Sequence, residues 1–388
     1  MDTPDRVSPA SPQTNRLLVV LPSWVGDAVM ATPALRKLRS TMPGAYIGAL
    51  ARPGIDAILD GLADDSGRPV FDEWHVERPT GVLGPKLVAS KLKPRRYGSA
   101  LLLTNSFSTA LIARVAGIPR RVGYDRDGRG ILLTQRLRAP KRSDQGLQGP
   151  GWAVVPAVSY YWHAALAYLD PDTPPLTPPA LDNVARVTID LPGDERMALA
   201  VTERDRADAE ATLASAGLEP DAPLAILNPG GNNHAKRWPA DRFAAIADHL
   251  RDRGLTVLIN GSPAEAELCR EIAQRAESDP VVLPDHQGTL RGLKSLCQRA
   301  RLMVTNDTGP RHIAIALNTP TVSLFGPTDA RWTTVPVHTS LDGPGREVVL
   351  VADPDLERTE LANDHPDRCS VDRITTQRVL EAIAQLGI

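Results

Sequence analysis

Three features that would quickly narrow the class of this protein are scarce or missing in its sequence. Only three of the 388 residues are cysteine, and Cys269, Cys297 and Cys369 lie far apart. This number and spacing exclude a disulfide framework and a zinc pattern, and they favour a reducing cytoplasm. No apolar run reaches about 18 residues, so no transmembrane helix is expected, and the polar N-terminus does not resemble a secretory signal. Lysine and arginine number 44 against 46 acidic residues, so the chain is not expected to bind nucleic acid.

What the sequence does contain is an alternation of short apolar runs with segments of helical periodicity. LLVVLP at 17–22 is the first of these runs, and LAILN at 224–228 belongs to a second series. Such runs are typical of strands buried on both faces of a parallel sheet, and their alternation with helices indicates right-handed βαβ units. The sequence therefore predicts two α/β domains with doubly wound sheets and a cleft between them.

A proline-rich stretch separates the two series. DPDTPPLTPPALDN, at 170–183, is interpreted as a stiff linker that follows a helix at 152–169. The predicted boundaries are a disordered tail over 1–15, an N-terminal domain over 16–180, a C-terminal domain over 181–371 and a final helix over 372–388.

Asp27 is the first candidate for function, because ligands of doubly wound sheets bind outside the carboxyl ends of the strands. It follows the first apolar run in PSWVGD, at the change from strand to helix. A carboxylate in this place can act as the general base on an incoming hydroxyl. Aspartate is also a frequent helix N-cap, and a preceding glycine eases the turn, so a simple cap explains the same pattern.

A second candidate loop follows LAILN. PGGNNHAKRWP, at 229–239, combines two glycines, the amides Asn232 and Asn233, and Lys236 before a predicted helix. Backbone N–H groups and cations suit a phosphate, although the Gly-Lys-Ser/Thr of a P-loop is missing. A solvated surface loop is the alternative.

A third candidate loop, DTGPRH at 307–312, follows the run LMVTN. Asp307 as cap and Pro310 in the first turn predict a sharp helix start, where Thr308 and free N–H groups could hold a diphosphate. His312 could face the same point, although a lone histidine is more often a buried polar residue. Thr328 and Asp329, after the run TVSLF, could contact a nucleotide or form a turn.

Positive charge is concentrated in one part of the N-terminal half. Between Gly84 and Arg142 there are 14 lysines and arginines and two acidic residues, Asp125 and Asp127. This block indicates an anionic partner, with solvated faces as the alternative. Arg120 and Arg121, predicted in a loop after a helix at 107–116, are the candidates for the acceptor side.

The segments quoted above, read in order, resemble the family 9 glycosyltransferases, the lipopolysaccharide heptosyltransferases. The resemblance is carried by LLVVLPSWVGDAVMATPALRKLR, by LNPGGNNHAKRWPADRFAAIADHL and, most specifically, by NDTGPRHIAIALNTPTVSLFGPTD. TNSFSTALIARVAGIPRRVGYDRDGRGILLT is most similar to the heptosyltransferase II branch, and the resemblance runs from about 16 to 388. It departs from the family at Gly231-Asn232-Asn233, where many members have small hydroxyl residues, and near Cys369, where the branch often has further cysteines.

The resemblance implies a GT-B fold, in which two Rossmann-like domains face a cleft. It implies an ADP-heptose or related donor on the C-terminal domain, an anionic lipid-A-core acceptor on the N-terminal domain, and inversion without a bound metal or cofactor. Carried over by motif, Asp27 is the catalytic base and Lys236 contacts the donor phosphates. The donor sugar and diphosphate are held by Asp307, Thr308, Gly309 and His312.

Two other classes stay open at this point. A nucleotide-sugar epimerase of the same fold would not need a basic acceptor face, and a non-catalytic sugar-nucleotide-binding protein would not need Asp27. The sequence leaves open the identity of donor and acceptor and whether Glu265 binds the nucleoside. The expected location is the cytoplasm, with transient contact to the anionic inner face of the inner membrane.

Overall fold

Two parallel sheets of six strands form the framework of the chain. The computed structural model describes residues 15–189, 191–192, 195–231, 233–336 and 346–388. The N-terminal sheet has the order β3-β2-β1-β4-β5-β6. Its strands are β1 (Arg16–Val20), β2 (Tyr46–Ala51), β3 (Glu73–Val76), β4 (Ser99–Leu102), β5 (Arg120–Tyr124) and β6 (Gln135–Leu137).

The C-terminal sheet repeats the same doubly wound plan, in the order β12-β11-β10-β7-β8-β9. Its strands are β7 (Leu224–Asn228), β8 (Thr256–Ile259), β9 (Val281–Val282), β10 (Leu302–Asn306), β11 (Thr321–Phe325) and β12 (Glu347–Val351). The predicted α/β class with two doubly wound domains is confirmed.

Helices cover both faces of each sheet, as the crossovers between parallel strands require. Those of the N-terminal domain are α1 (Val25–Met30), α2 (Thr32–Thr41), α3 (Ile55–Leu59), α4 (Gly84–Leu92), α5 (Phe107–Val115) and α6 (Ala157–Leu169). Those of the C-terminal domain are α7 (Glu203–Ser215), α8 (Ala240–Asp252), α9 (Ala266–Arg275), α10 (Leu290–Arg299), α11 (Gly309–Ala316) and α12 (Thr376–Gln385). None of the helices within the described ranges is long and apolar enough to cross a membrane.

The central strands are buried on both faces, which explains their largely apolar sequences. Every residue of β7, β10 and β11 is buried, and β1 is buried after Arg16. One face of the N-terminal sheet packs against α4 and α5, and the other packs against α1, α2 and α6. The cluster on this second face continues into α7, α10 and α11, so the two domains share part of one core.

The structure differs from the sequence prediction in several elements. The sequence analysis named no strand at β12, although EVVLV is an apolar run. α6 begins at Ala157 and not at 152, because Pro156 occupies the N-cap and has extended backbone. The predicted tail, apart from Asn15, lies outside the described residues, and the predicted domain boundaries stay predictions.

Helix α10 joins the two domains through a buried charge. Lys294 and Asp205 of α7 are both fully buried, with Nζ 2.8 Å from Oδ2. Lys294 also donates to the carbonyl oxygens of Ala57 and Ile58, at 3.2 and 3.4 Å, at the end of α3 in the other domain. A lysine of the C-terminal domain thus caps a helix of the N-terminal domain.

Candidate active site

A cavity of about 680 Å³ lies where the carboxyl ends of the two sheets meet. Its walls come from both domains: Trp24 to Asp27 on one side, and the loops after β7, β8 and β10 on the other. Clefts of this size hold small-molecule ligands, and the carboxyl edge is where doubly wound sheets bind them. The cavity therefore gathers the three loops that the sequence singled out.

Asp27 lies in the first turn of α1 and faces this cavity. The N-cap of α1 is Trp24, so the interpretation of Asp27 as a simple cap is wrong. Its Oδ1 accepts a hydrogen bond of 2.9 Å from the hydroxyl of Tyr161 in α6. Burial raises the pKa of Asp27 above its usual 3.8, the Tyr161 hydrogen bond opposes this shift, and the charge of Asp307 adds to it. A carboxylate that binds protons more strongly than usual is suited to act as a general base.

Helices α1 and α11 approach each other closely across the cleft. A Cβ on Gly26 would lie 2.6 Å from Cδ2 of His312, and one on Gly309 would lie 3.1 Å from Cβ of Val25. Only glycine leaves room at the first of these contacts. Burial, with the charges of Arg311 and Lys236, lowers the pKa of His312 well below 6.5, so the ring is neutral near pH 7. Within the described chain, its buried Nδ1 has no hydrogen-bond partner.

The start of α11 forms part of the cavity wall on the C-terminal domain. Its N-cap is Thr308, so the prediction that Asp307 caps the helix is wrong by one residue. Asp307 instead accepts from Lys236, with Nζ 2.9 Å from Oδ2. Among the described residues, no side chain caps the first turn of α11, which leaves backbone N–H groups and Lys236 beside the cavity. This combination can bind an anion.

Three asparagines that the sequence analysis did not single out hold the donor loops together. Asn228 ends β7, Asn260 follows β8, and Asn306 ends β10. Nδ2 of Asn260 donates to Oδ1 of Asn228 at 2.6 Å, and Nδ2 of Asn228 donates to Thr308 at 2.8 Å. Nδ2 of Asn306 donates to the carbonyl of Pro229 at 2.7 Å. The available signal was the recurrence of asparagine at the ends of three apolar runs.

Glu265 holds the glycine loop in place through hydrogen bonds. It accepts the N–H of Gly231 at 2.7 Å with one oxygen, and the N–H and hydroxyl of Ser262 at 2.9 and 2.7 Å with the other. A Cβ on Gly230 would collide with this carboxylate at 2.3 Å. Burial alone would raise the pKa of Glu265, but the hydrogen bonds outweigh it and lower the pKa. The carboxylate is therefore ionised and engaged with the loop.

The remaining donor-side candidates divide. Asn233 lines the cavity, and its Oδ1 accepts from the N–H of Ala235 at 3.0 Å. Asn232 lies outside the described residues. Asp329 is buried and pairs with Arg331 at 2.8 Å, so it holds a turn and is not a nucleotide contact.

Arg120 and Arg121 do not lie where the sequence prediction put them. They begin strand β5, at the edge of the sheet opposite to the cleft, and are not in a loop. Arg121 is buried and donates to the carbonyls of Leu132 and Ile118, and Arg120 donates to Gln135 and to the carbonyl of Tyr168. Their charges serve the fold at the far edge, so the prediction that they face the acceptor cleft is wrong.

Another arginine of the same basic block does reach the site. Arg126 follows the carboxyl end of β5 and lines a second cavity of about 240 Å³, which shares Asp27 with the first. Its guanidinium lies 4.4 Å from the centre of the Trp152 ring. Its Nε is buried and has no hydrogen-bond partner among the described residues. Tyr160, Tyr161 and Trp332 complete an aromatic wall.

Two doubly wound domains that meet at their carboxyl edges, with a cavity between them, form a GT-B fold. The profile of glycosyltransferase family 9 (heptosyltransferase) matches residues 163–349. The chain carries this family's domain over that range, and the comparisons support a glycosyltransferase.

Full-length relatives agree with this assignment. The chain is 27% identical to lipopolysaccharide heptosyltransferase 2 of Escherichia coli K12, over 96% of this chain and 98% of that protein. It is 28% identical to the corresponding Salmonella typhimurium protein, over 82% and 84%. The structure of E. coli ADP-heptose lipopolysaccharide heptosyltransferase II is similar with a TM-score of 0.72, at 27% identity and over 96% and 98% of the two chains. A family 9 glycosyltransferase structure from Veillonella parvula shares the fold with a TM-score of 0.70, at 21% identity over 98% and 99%.

Proposed function

We propose that this transferase moves a heptose from ADP-heptose to an anionic inner-core acceptor of lipopolysaccharide, with Asp27 as the general base. The observation that carries the proposal is the position of Asp27 in the walls of both cavities, with a raised pKa and a hydrogen bond from Tyr161. The names of the full-length relatives support the choice of sugar and acceptor. A base at the junction of two cavities fits a transferase better than an epimerase or a binding module.

The donor diphosphate is assigned to the larger cavity. Lys236 and the uncapped first turn of α11 supply positive charge and N–H donors there. Thr308 is held in place by Asn228, and the glycine loop is held by Glu265. Donors fixed before the ligand arrives stabilise the charge that develops on the departing diphosphate, because they need no reorganisation during the reaction.

The acceptor is assigned to the smaller cavity. The aromatic wall, which includes Trp152, Tyr160 and Trp332, suits the apolar faces of a sugar ring, and the guanidinium of Arg126 in the same cavity can pair with a carboxylate or phosphate. Arg126 therefore takes the role for which the sequence analysis proposed Arg120 and Arg121.

The reaction then proceeds by direct displacement. An acceptor hydroxyl loses its proton to Asp27, its oxygen bonds to the anomeric carbon, and the bond from that carbon to the diphosphate oxygen breaks. Attack from the side opposite to the leaving group inverts the anomeric centre. No resident cofactor takes part in this scheme, and ADP-heptose is consumed as a substrate.

Two variants with different expected effects test the proposed roles of Asp27 and Lys236. Asp27→Asn keeps the shape of the side chain but cannot accept a proton, so we expect transfer to fall by about 10²–10⁴-fold while ADP affinity stays unchanged. Lys236→Ala should weaken ADP binding at least about tenfold, because a charge-assisted hydrogen bond contributes roughly 1.5–3 kcal/mol. Transfer is measured by mass spectrometry of donor and acceptor together, and ADP affinity is measured by calorimetry.

Asp241→Asn is the matched control, since Asp241 is an exposed first-turn aspartate of α8, outside the cavity. It should leave transfer and ADP binding as in the wild type. An Asp27→Asn variant that retains more than about half of the wild-type rate, when chemistry limits the rate, would contradict the role of Asp27 as a general base. Conversion of ADP-heptose in the absence of acceptor would point to an epimerase.

A further inference from the structure

Within the described residues, large apolar side chains are exposed on the N-terminal domain and not on the C-terminal domain. Across the described ranges, all eight exposed large hydrophobic residues lie between Trp24 and Ile131, in the N-terminal domain. Val82, Leu83 and Leu87 are close neighbours in this set, with exposures of 97%, 65% and 62%. These three residues are called the apolar tip below.

The apolar tip lies at the start of helix α4. Leu83 is the N-cap, and Leu87 comes four residues later on the same side of the helix. The opposite side of α4 is also apolar, and there Val88 and Leu92 are buried against the sheet. Packing against the core therefore does not explain why the residues of the apolar tip are hydrophobic. Because α4 follows β3, the tip lies at the carboxyl edge of the sheet, the edge that carries Asp27.

Positive charge surrounds the apolar tip. The segment 78–96 contains six lysines and arginines and no acidic residue. Lys91 and Arg95 pair with Glu77 and Glu73 of the preceding segment. In the part of the chain that the structure describes, no carboxylate lies within 4.0 Å of the side-chain nitrogens of the others, which include Lys86, Lys93 and Arg96. Exposed aliphatic side chains flanked by unpaired cations complement the headgroup region of an anionic bilayer.

We propose that segment 78–83 and the exposed face of α4 form a membrane-docking surface, which inserts the apolar tip between anionic lipids. The cations of the helix would then lie at the level of the lipid phosphates. This surface replaces Arg120 and Arg121 as the expected contact with an anionic membrane. It would also hold the cleft close to a lipid-anchored acceptor, although the proposal does not depend on the assignment of the reaction.

Vesicle binding of the full chain tests the surface without donor or acceptor. Wild type should co-sediment with vesicles of phosphatidylcholine and phosphatidylglycerol, and much less with phosphatidylcholine alone. Val82→Ser, Leu83→Ser and Leu87→Ser combined should lower the partition coefficient at least about tenfold. Lys86→Glu, Lys93→Glu and Arg96→Glu combined should lower it strongly at low salt and less at high salt, because salt screens the attraction.

Matched controls separate docking from general surface changes. Val115→Ser alters an exposed apolar residue at the C-terminal end of α5. The combined changes Arg204→Glu, Arg206→Glu and Arg251→Glu reverse the charge of three exposed arginines of the C-terminal domain. Both controls should bind vesicles like wild type. Unchanged ADP affinity and melting temperature in every variant would show that folding and the donor site are intact.

A position-specific probe gives an independent readout. All three native cysteines are buried, so Leu83→Cys and Val115→Cys each offer one accessible thiol for an environment-sensitive dye. Anionic vesicles should shift the emission to the blue at position 83 only. Equal binding to both kinds of vesicle, an unchanged partition of the triple serine variant, or no shift at position 83 would overturn the proposal. So would self-association of wild type that the triple serine variant abolishes, since a second copy would then cover the tip.

Discussion

At the scale of single residues, the pair of Asp27 and Tyr161 sets the proton affinity of the site. Burial raises the pKa of Asp27, and the Tyr161 hydroxyl, 2.9 Å away, favours the charged carboxylate and limits the rise. A base works only when it is ionised, so activity should be lost as the pH falls through this raised pKa. The acid limb of the profile should therefore lie above the usual 3.8 of an aspartate.

Tyr161→Phe should move this acid limb to higher pH, because it removes the hydrogen bond that lowers the pKa of Asp27. The measurement is the pH dependence of kcat/KM, which reports the free enzyme. Tyr168→Phe is the control, since Tyr168 is a buried tyrosine of the same helix whose hydroxyl contacts Ser99 and not the cleft. A limb that stays in place, or that moves to lower pH, would contradict the proposed pairing.

The sequence could identify Asp27, but it could not identify the partner of Asp27. The aspartate follows a strand at the carboxyl edge, which is a local pattern. Tyr161 lies 134 residues away, on a helix whose packing against α1 depends on the whole domain. The same reason explains the error at Arg120 and Arg121. Their charge was visible in the sequence. The groups that accept their hydrogen bonds, such as the carbonyl of Leu132, depend on where β5 begins.

At the scale of elements, the contact between α1 and α11 depends on glycine. Gly26→Ala would place a Cβ 2.6 Å from the buried ring of His312. Overpacking of this kind costs about 1–3 kcal/mol, so we expect that loss in the free energy of unfolding, together with a lower kcat/KM. Urea denaturation and steady-state kinetics measure the two effects.

Gly44→Ala provides the comparison for this substitution. Among the described residues, no atom lies within 4 Å of a Cβ built on Gly44, and Gly44 does not line the cavity. It should behave like wild type in both measurements. If Gly26→Ala were equally neutral, α1 and α11 would not be in the close contact described above.

The central strands were easier to predict from the sequence than the strands at the edges of the sheets. Strands with mostly apolar sequences, such as β1, β7 and β10, were found because burial on both faces favours apolar residues. The edge strands β6 and β12 are only partly buried, so their sequences carry a weaker signal. The donor loops were found from their position after strands, but the asparagine network that joins them needs the order β10-β7-β8, which no local pattern contains.

At the scale of the whole molecule, the buried Lys294 is one of the contacts that join the two domains. Lys294→Met leaves Asp205 buried without this counter-charge. Removal of one partner of a buried pair costs about 3–5 kcal/mol, and we expect a loss of that order in chemical denaturation. Adding Asp205→Asn should recover part of it, since the buried charge is then removed. A double variant less stable than Lys294→Met would contradict this account.

The position of Lys294 has a consequence for the timing of events. The residue before it, Leu293, lines the donor cavity together with Thr289 and Leu290. One short helix therefore lines this cavity with one residue and contacts the other domain with the next. Thermodynamic linkage makes this effect reciprocal. The free energy by which a fixed α10 strengthens donor binding is also the free energy by which the donor strengthens the contact between the domains. Donor binding would thereby prepare the cleft for the acceptor. Release of ADP would weaken the contact between the domains before the next cycle.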